Sequence, residues 1–139
     1  MQQHIKTVLV PNWTNIKYFI PAIAWAILIW SLSTTSNLPH IPWNFLSPDK
    51  IGHLVFYAIL TLLLIGGFVY SLSWKQKGAK SWILFCMIIA GLYGVSLEFV
   101  QATIPGRSFD YADMLANFIG TLLGAFVYYK STSKYFVSQ

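Results

Sequence analysis

Four long apolar stretches divide the chain, and each is long enough to cross a lipid bilayer as a helix. Such a helix needs about 20 mostly apolar residues. The stretches run from about Tyr18 to Thr34, Ile51 to Tyr70, Ser81 to Gln101 and Asp110 to Tyr129. Apolar and polar residues do not alternate with a period of two, so a membrane β-barrel is not indicated. The pattern predicts a single-domain, all-α integral membrane bundle of four transmembrane helices spanning residues 1–139.

The polar residues between these stretches predict where helices begin and end. Ser47-Pro48-Asp49 is typical of a helix start, with a capping serine, a proline in the first turn and an acid at the positive end of the helix dipole. Asp110 is suited to begin the fourth helix in the same way. Pro105-Gly106 separates the third helix from the fourth, and Gly78 breaks the chain before the third.

The composition agrees with a membrane protein. Of 139 residues, 56% are hydrophobic and 9% are charged, whereas soluble domains carry roughly 25% charged residues. A net charge of +5 would suggest a nucleic-acid ligand in a soluble protein. Here the basic residues cluster in short loops and at the termini, as in membrane proteins, so no nucleic-acid partner is expected. Cys86 is the only cysteine, which excludes an internal disulfide.

The distribution of lysine and arginine predicts the orientation of the bundle. Lys50 and Arg107 flank one end of the predicted helices. Seven basic residues flank the other end: Lys6, Lys17, Lys75, Lys77, Lys80, Lys130 and Lys134. Because cytoplasmic loops are enriched in basic residues, both termini are predicted to be cytoplasmic. The first apolar segment contains only a weak cleavage site, so we expect it to be retained as a helix.

All four carboxylates fall at the end predicted to face outward. Acids are costly near hydrocarbon and are rarely kept there without a partner or a function. Asp49 and Asp110 are explained by helix starts. Glu98 and Asp113 lie further inside their helices, and together with His53 they are the stronger functional candidates. The outward end is therefore the predicted site.

Helical spacing places the polar residues of this end on shared faces. Lys50, His53 and Tyr57 follow each other by three and four residues, and Glu98 and Gln101 are three apart. On one face of the fourth helix, polar residues at the start are followed by glycines further along. The members of this polar stripe are Asp110, Asp113, Asn117, Gly120 and Gly124. The side-chain amide of Asn117 must form a hydrogen bond inside the bilayer. The glycines predict that another helix approaches closely.

Several chemistries are compatible with this set. His53, Glu98 and Asp113 could act as general acid and base or hold a divalent metal. No familiar metal-binding spacing is present, so neither a metal nor another cofactor is expected. Ser96 is discounted as a nucleophile because it faces away from Glu98. Lys50 and Arg107 could instead bind a phosphate or carboxylate of a lipid-linked molecule.

A purely structural reading is the alternative. In it Arg107 pairs with Asp110 or Asp113, and Lys50 pairs with Asp49 or Glu98. A transporter is less favoured, because the inner half of the bundle lacks ionisable residues to relay protons.

The polar residues resemble the signatures of the VanZ-like family of small membrane proteins, named for a teicoplanin-resistance determinant. The first signature, D-K-x-x-H-x-x-x-Y-x-x-L, begins at Asp49 and ends at Leu60. The second, E-x-x-Q-x-x-x-P-x-R, begins at Glu98 and is followed by the stripe of the fourth helix. The resemblance implies a multi-pass protein of the bacterial cytoplasmic membrane and cell envelope. It also implies a link to lowered susceptibility to teicoplanin-type antibiotics.

The leading hypothesis is an outward-facing polar pocket for an anionic or polar envelope ligand. Its predicted lining is Lys50, His53, Tyr57, Glu98, Gln101, Arg107, Asp113 and Asn117. The two cations would bind the ligand's anionic group, the acids would orient the cations, and the histidine would exchange a proton or hydrogen bond. The expected partners are membrane lipids and a lipid-linked cell-wall precursor or glycopeptide. The alternatives are an enzyme acting on a lipid-linked molecule and a non-catalytic scaffold for cell-wall machinery.

Overall fold

The structure is a computed structural model that describes residues 13–36, 47–71 and 79–136. Within these ranges the chain is almost entirely helical and has no strand, so the predicted all-α bundle is confirmed. Among the described residues, four helical spans are long and apolar enough to cross a membrane, and the first of them is Asn15–Thr34. A 3-10 helix, Trp13–Phe19, precedes α1 Ile20–Thr34, α2 Pro48–Ser71, α3 Ala79–Gln101 and α4 Tyr111–Phe136.

The second, third and fourth helices extend beyond the apolar stretches that predicted them. The second helix starts at Pro48 rather than near Ile51, because its proline and its acid belong to the first helical turn. The fourth continues past Tyr129 to Phe136. Apolar residues mark the part of a helix within hydrocarbon, whereas main-chain hydrogen bonding can continue into the polar interface. The sequence therefore located the spans better than the helix ends.

The four helices run alternately up and down. Thr34 at the end of α1, Pro48 at the start of α2, Gln101 at the end of α3 and Tyr111 at the start of α4 lie at one end of the bundle, which we call the polar end. At the opposite end the rings of Tyr18 and Tyr70 lie 5.8 Å apart. This arrangement gathers residues that are distant in sequence into one layer.

The contact between α2 and α4 is the closest in the bundle. A Cβ atom on Gly120 would collide with the carbonyl oxygen of Leu54, and one on Gly124 would collide with that of Ala58. The predicted close approach at the glycines is therefore confirmed, and α2 is the partner. Such an approach fixes the rotation of α4, so its polar stripe faces α2.

Helix α1 is attached to the rest of the bundle through main-chain acceptors. The indole of Trp25 donates to the carbonyl of Phe56 at 2.9 Å, and the hydroxyl of Tyr93 donates to that of Ala26 at 2.7 Å. Among the described residues α1 packs on α2 and α3 but not on α4. Helix α1 therefore lies at the side of the bundle away from α4.

The outer surface of the bundle is apolar. Large side chains such as Ile27, Leu92 and Phe126 are each more than half exposed. The interior contains Ile65, Leu97 and other tightly buried residues. Exposed apolar side chains around a bundle are typical of contact with lipid tails, which agrees with four membrane-spanning helices.

Candidate functional site

Lys50 connects the starts of α2 and α4. Its ammonium lies 3.0 Å from Oδ1 of Asp113 and 3.2 Å from Oδ2 of Asp110. The three side chains are largely shielded from solvent, with exposed fractions of 10 to 20%. A charge held this way is stabilised by two hydrogen bonds to carboxylates, which are stronger than neutral ones. Lys50 therefore orients the acids of α4.

Asp110 caps α4, as predicted. Its Oδ1 accepts the amide hydrogen of Ala112 at 2.7 Å, one residue into the helix. Partial burial alone would raise the pKa of Asp110. The hydrogen bond from Ala112 and the ammonium of Lys50 outweigh this effect and hold the pKa of Asp110 below its usual range. Asp110 is thus ionised at neutral pH.

His53 lies between an amide and two carboxylates. Its Nδ1 is 2.9 Å from Oδ1 of Asn117, while its Nε2 faces Oδ1 of Asp49 at 3.8 Å and Oδ2 of Asp113 at 3.9 Å. With the amide oxygen at this position, Nδ1 donates its hydrogen. The lone pair of the neutral ring is then on Nε2, directed towards the two acids.

Three buried polar atoms at the polar end have no hydrogen-bond partner among the described residues. They are Oη of Tyr57, Oε1 of Glu98 and Nδ2 of Asn117. The other oxygen of Glu98 accepts the amide of Asp110 at 3.4 Å. A Cβ on Gly94 would lie 3.0 Å from the Tyr57 ring and 3.3 Å from the Asn117 amide nitrogen. The absence of a side chain at Gly94 therefore leaves room for the Tyr57 ring and the Asn117 amide against α3.

Arg107 lies in the turn between α3 and α4, where Gly106 adopts a left-handed φ of 82°. Its Nε and Nη2 donate to the carbonyl of Thr35 at 3.3 and 3.0 Å, and Nη2 also donates to that of Leu32. Within the described ranges Arg107 has no carboxylate at ion-pair distance. Its positive charge is therefore solvated by peptide dipoles and is not neutralised by an acid.

A cleft of about 210 Å³ opens beside this guanidinium. Helices α1 and α2 supply its apolar wall, which includes Ile29, Leu32 and Phe56. Its polar wall is formed by Asp49, His53, Tyr57, Gln101 and Arg107. One side of the cleft thus suits hydrocarbon and the other suits a polar group.

The predicted lining residues fall into two groups. His53, Tyr57, Gln101 and Arg107 line the cleft. The other four form a buried network beside it: Lys50, Glu98, Asp113 and Asn117. The sequence predicted that these residues gather at one end of the bundle, where the structure has them, but it did not predict which of them line the cleft and which lie beside it.

Two predicted sets of ion pairs are wrong. Lys50 pairs with Asp110 and Asp113 instead of Asp49 or Glu98, because α2 and α4 are in close contact. Arg107 binds carbonyls at the end of α1 instead of the acids of α4. The prediction that acids orient the Arg107 side chain is wrong for the same reason, because carbonyls at the end of α1 hold it.

Sequence reasoning missed two contributors to the site. The carboxylate of Asp49, explained as a helix start, also faces His53, and its spacing of four residues before this histidine was the available signal. Nothing in the sequence indicated that α1 supplies a wall of the cleft, because Ile29 and Leu32 cannot be distinguished from lipid-facing residues by their type. Ser96 is exposed and donates to the carbonyl of Tyr93, away from the cluster, as expected.

Comparisons with known proteins agree with the pattern of residues. The sequence model of the VanZ/LLP1 family matches residues 2–134, nearly the whole chain. An uncharacterised protein of Schizosaccharomyces pombe, C11E3.10, is 35% identical over 75 residues. The match covers 54% of this chain and 43% of the yeast protein, so the chain spans less than half of that relative. No solved structure matches the chain. The chain belongs to the VanZ/LLP1 family of proteins.

Proposed function

We propose that this chain is a cell-envelope protein whose cleft binds the polar group of a lipid-linked molecule. In this proposal the apolar wall accepts the lipid portion, and Arg107 binds a phosphate or carboxylate. His53 and Gln101 contribute hydrogen bonds to the same group. The location is the outer leaflet of the bacterial cytoplasmic membrane.

The observation that carries this proposal is the charge of Arg107 beside the cleft. Within the described ranges this guanidinium is bound by carbonyls and not by an acid, and its planar fork suits a phosphate or carboxylate. The apolar wall at Ile29 and Phe56 suits an acyl or prenyl chain. An amphipathic ligand matches both walls, whereas a free ion or a purely apolar molecule matches only one.

The basic residues support an outward orientation of this cleft. Lys17, Lys80 and Lys130 belong to the end of the bundle opposite Lys50 and Arg107. Cytoplasmic ends carry the excess of lysine and arginine. Both termini would then be cytoplasmic, and the cleft would face the side where cell-wall precursors are assembled.

Lowered susceptibility to teicoplanin is the finer part of the proposal. It is supported only by the membership of the chain in the VanZ/LLP1 family and by the resemblance of its polar residues to the VanZ-like signatures. The chain also matches part of an uncharacterised yeast protein, which carries no indication of resistance. Resistance is therefore tested separately from ligand binding.

The ligand proposal is tested with Arg107→Gln, which removes the charge but keeps a polar side chain. The matched control is Lys80→Gln, an exposed lysine at the opposite end. Native mass spectrometry of protein extracted from bacterial membranes should detect a bound anionic lipid-linked species in the wild type and the control. The Arg107→Gln protein should lack it. Equal retention in a normally accumulated variant would contradict the assignment to Arg107.

The resistance proposal is tested in a teicoplanin-susceptible bacterium. Expression of the wild type and Lys80→Gln should raise the minimal inhibitory concentration of teicoplanin, and Arg107→Gln at equal membrane levels should not. An unchanged inhibitory concentration with the wild type would reject the resistance role. It would leave the lipid-binding result to stand by itself.

Catalysis is a second candidate, favoured by one observation. His53 lines the cleft and faces two carboxylates, which is an arrangement that can take up and return a proton. In this alternative His53 is the base, with Asp113 or Glu98 as the partner acid. Turnover of an extracted lipid-linked fraction by the purified wild type, stopped by His53→Gln, would support it. Binding without any turnover would reject it.

A further inference from the structure

One group of side chains at the polar end has the composition of a metal site. Asp49 and His53 lie one turn apart on α2, and Asp113 lies opposite them on α4. One carboxylate oxygen of each acid and one ring nitrogen of the histidine all lie within 4.8 Å of one another. Because the ligands come from two helices, the sequence contains no familiar metal-binding motif.

The spacing of these atoms is too long for direct hydrogen bonds. Nε2 of His53 is 3.8 Å from Asp49 and 3.9 Å from Asp113, whereas hydrogen bonds between nitrogen and oxygen are about 2.7–3.2 Å. Ligands of a tetrahedral zinc ion lie about 2.0–2.2 Å from the metal, so neighbouring ligand atoms are about 3.3–3.6 Å apart, which is longer than a hydrogen bond and close to the spacing found here. The three atoms thus leave a gap that suits a cation.

The orientation of the histidine supports this reading. The contact of Nδ1 with Asn117 leaves the lone pair of a neutral ring on Nε2, facing both carboxylates. Lys50 occupies Oδ1 of Asp113, and Oδ2 is the oxygen that faces the histidine. A hydrogen bond from the second ring nitrogen is the usual way in which a protein orients a metal-binding histidine.

A second observation concerns the cleft beside these three residues. Tyr57 follows His53 by one helical turn and lines the same cleft, and its hydroxyl is buried without a partner among the described residues. The residue is 1% exposed. Buried hydroxyls almost always have a hydrogen-bond partner. A water or ligand oxygen held in the cleft by a cation would supply one.

The local charge also favours a cation. Four carboxylates lie at the polar end, namely Asp49, Glu98, Asp110 and Asp113, and the lysine and arginine side chains there are Lys50 and Arg107. Lys50 is shared between two of these acids, and Asp49 has no lysine or arginine at ion-pair distance in the described part of the chain. A divalent ion would neutralise the acids nearest His53.

We propose that Asp49, His53 and Asp113 form a site for one divalent transition-metal ion, with its open coordination positions directed towards the cleft. One imidazole and two carboxylates are suited to zinc or manganese. The metal proposal does not require the proposed lipid ligand, although His53 belongs to both sites. If both proposals hold, the ion would provide a second positive group beside Arg107.

The experiment measures Zn²⁺ bound to the full chain in detergent. Metal-depleted protein is incubated with Zn²⁺, passed through a desalting column and analysed by elemental mass spectrometry. Wild type should retain about one ion per chain, and Asp49→Asn and Asp113→Asn should lose it. Asn117→Ala should bind Zn²⁺ about 10–100-fold more weakly, because the histidine loses its orienting partner. The matched control is Asp110→Asn, which removes one charge nearby, keeps the helix cap and should retain the ion.

A wild-type protein that retains no Zn²⁺ above a detergent blank would overturn the proposal, as would full retention by both ligand variants. A second measurement needs no variant. Zn²⁺ should slow the carbethoxylation of His53, measured by peptide mass spectrometry, relative to His4 and His40 in the same chain. Equal rates with and without Zn²⁺ would also overturn the proposal, even if the variants fail to fold.

Discussion

At the scale of the residue, the site depends on how a few polar groups are held rather than on how many there are. Asn117 is 2% exposed and holds His53 through its amide oxygen. Lys50 holds both acids of α4. In an apolar surrounding each such contact is favourable only while both partners are present, because a single buried polar group is costly. Two substitutions test this dependence.

Asn117→Leu should lower the free energy of unfolding by about 1–3 kcal/mol, because Nδ1 of His53 loses its partner in a buried position. The measurement is reversible unfolding in mixed detergent, followed by circular dichroism. Phe118→Leu is the control, since this neighbouring side chain is 54% exposed on the outer surface. Equal stability of wild type and Asn117→Leu would argue that the histidine finds another partner.

Lys50→Met should destabilise the bundle by roughly 1–3 kcal/mol, because it leaves Asp110 and Asp113 close together without a cation. The double variant Lys50→Met/Asp113→Asn should recover part of this loss, since one uncompensated charge is removed. The same unfolding measurement gives the coupling energy by a double-mutant cycle. Additive effects would indicate that the pair contributes no interaction energy.

At the scale of the element, the close contact of α2 with α4 determines which residues meet. The glycines of α4 let the two backbones approach, and the acids of α4 then lie against the start of α2. A single added methyl group therefore tests the arrangement of the whole polar end.

Gly120→Ala should destabilise the bundle by about 1–3 kcal/mol, because the new methyl group collides with the carbonyl of Leu54. Gly91→Ala is the matched control on α3, where a Cβ meets nothing within 4 Å. It should be neutral or slightly stabilising, because alanine favours helix. Thermal unfolding in detergent compares the two, and equal effects would contradict the close contact.

The sequence predicted the faces of the helices well but not their partners. Spacing of three and four residues placed Asp113 and Asn117 on one face, and the structure has them there. The pairing of Lys50 with Asp113 depends on the rotation and depth of two helices, which no local pattern encodes. The acceptors of Arg107 are main-chain carbonyls, and every residue carries one. Contacts to main-chain carbonyls therefore cannot be predicted from the types of the side chains.

At the scale of the whole molecule, the bundle has one polar end and one end where lysines and aromatic rings gather. Lys17, Lys80 and Lys130 belong to the second end. The difference between the ends governs which way the protein is inserted. Orientation is therefore a property of the entire chain and must be tested in intact cells.

Cysteine labelling tests the orientation. In a Cys86→Ala background, Ser108→Cys lies in the exposed turn of the polar end and Lys80→Cys lies at the opposite end. A membrane-impermeant maleimide added to intact cells should label the first variant and label the second only after lysis. Labelling of Lys80→Cys alone in intact cells would reverse the proposed topology.

The attachment of α1 has a consequence for how this helix can change. Trp25, Tyr93 and Arg107 all join α1 to its neighbours through peptide carbonyls. Such acceptors persist when side chains are replaced. The lipid-facing residues of α1 are therefore interchangeable as a group, provided that the helix stays apolar and keeps its length. Tyr93 and Arg107 bind main-chain carbonyls at α1, whereas Trp25 donates from α1 with its own side chain. The outer surface of this helix can therefore vary to suit different membranes as long as Trp25 and the inward-facing residues are kept.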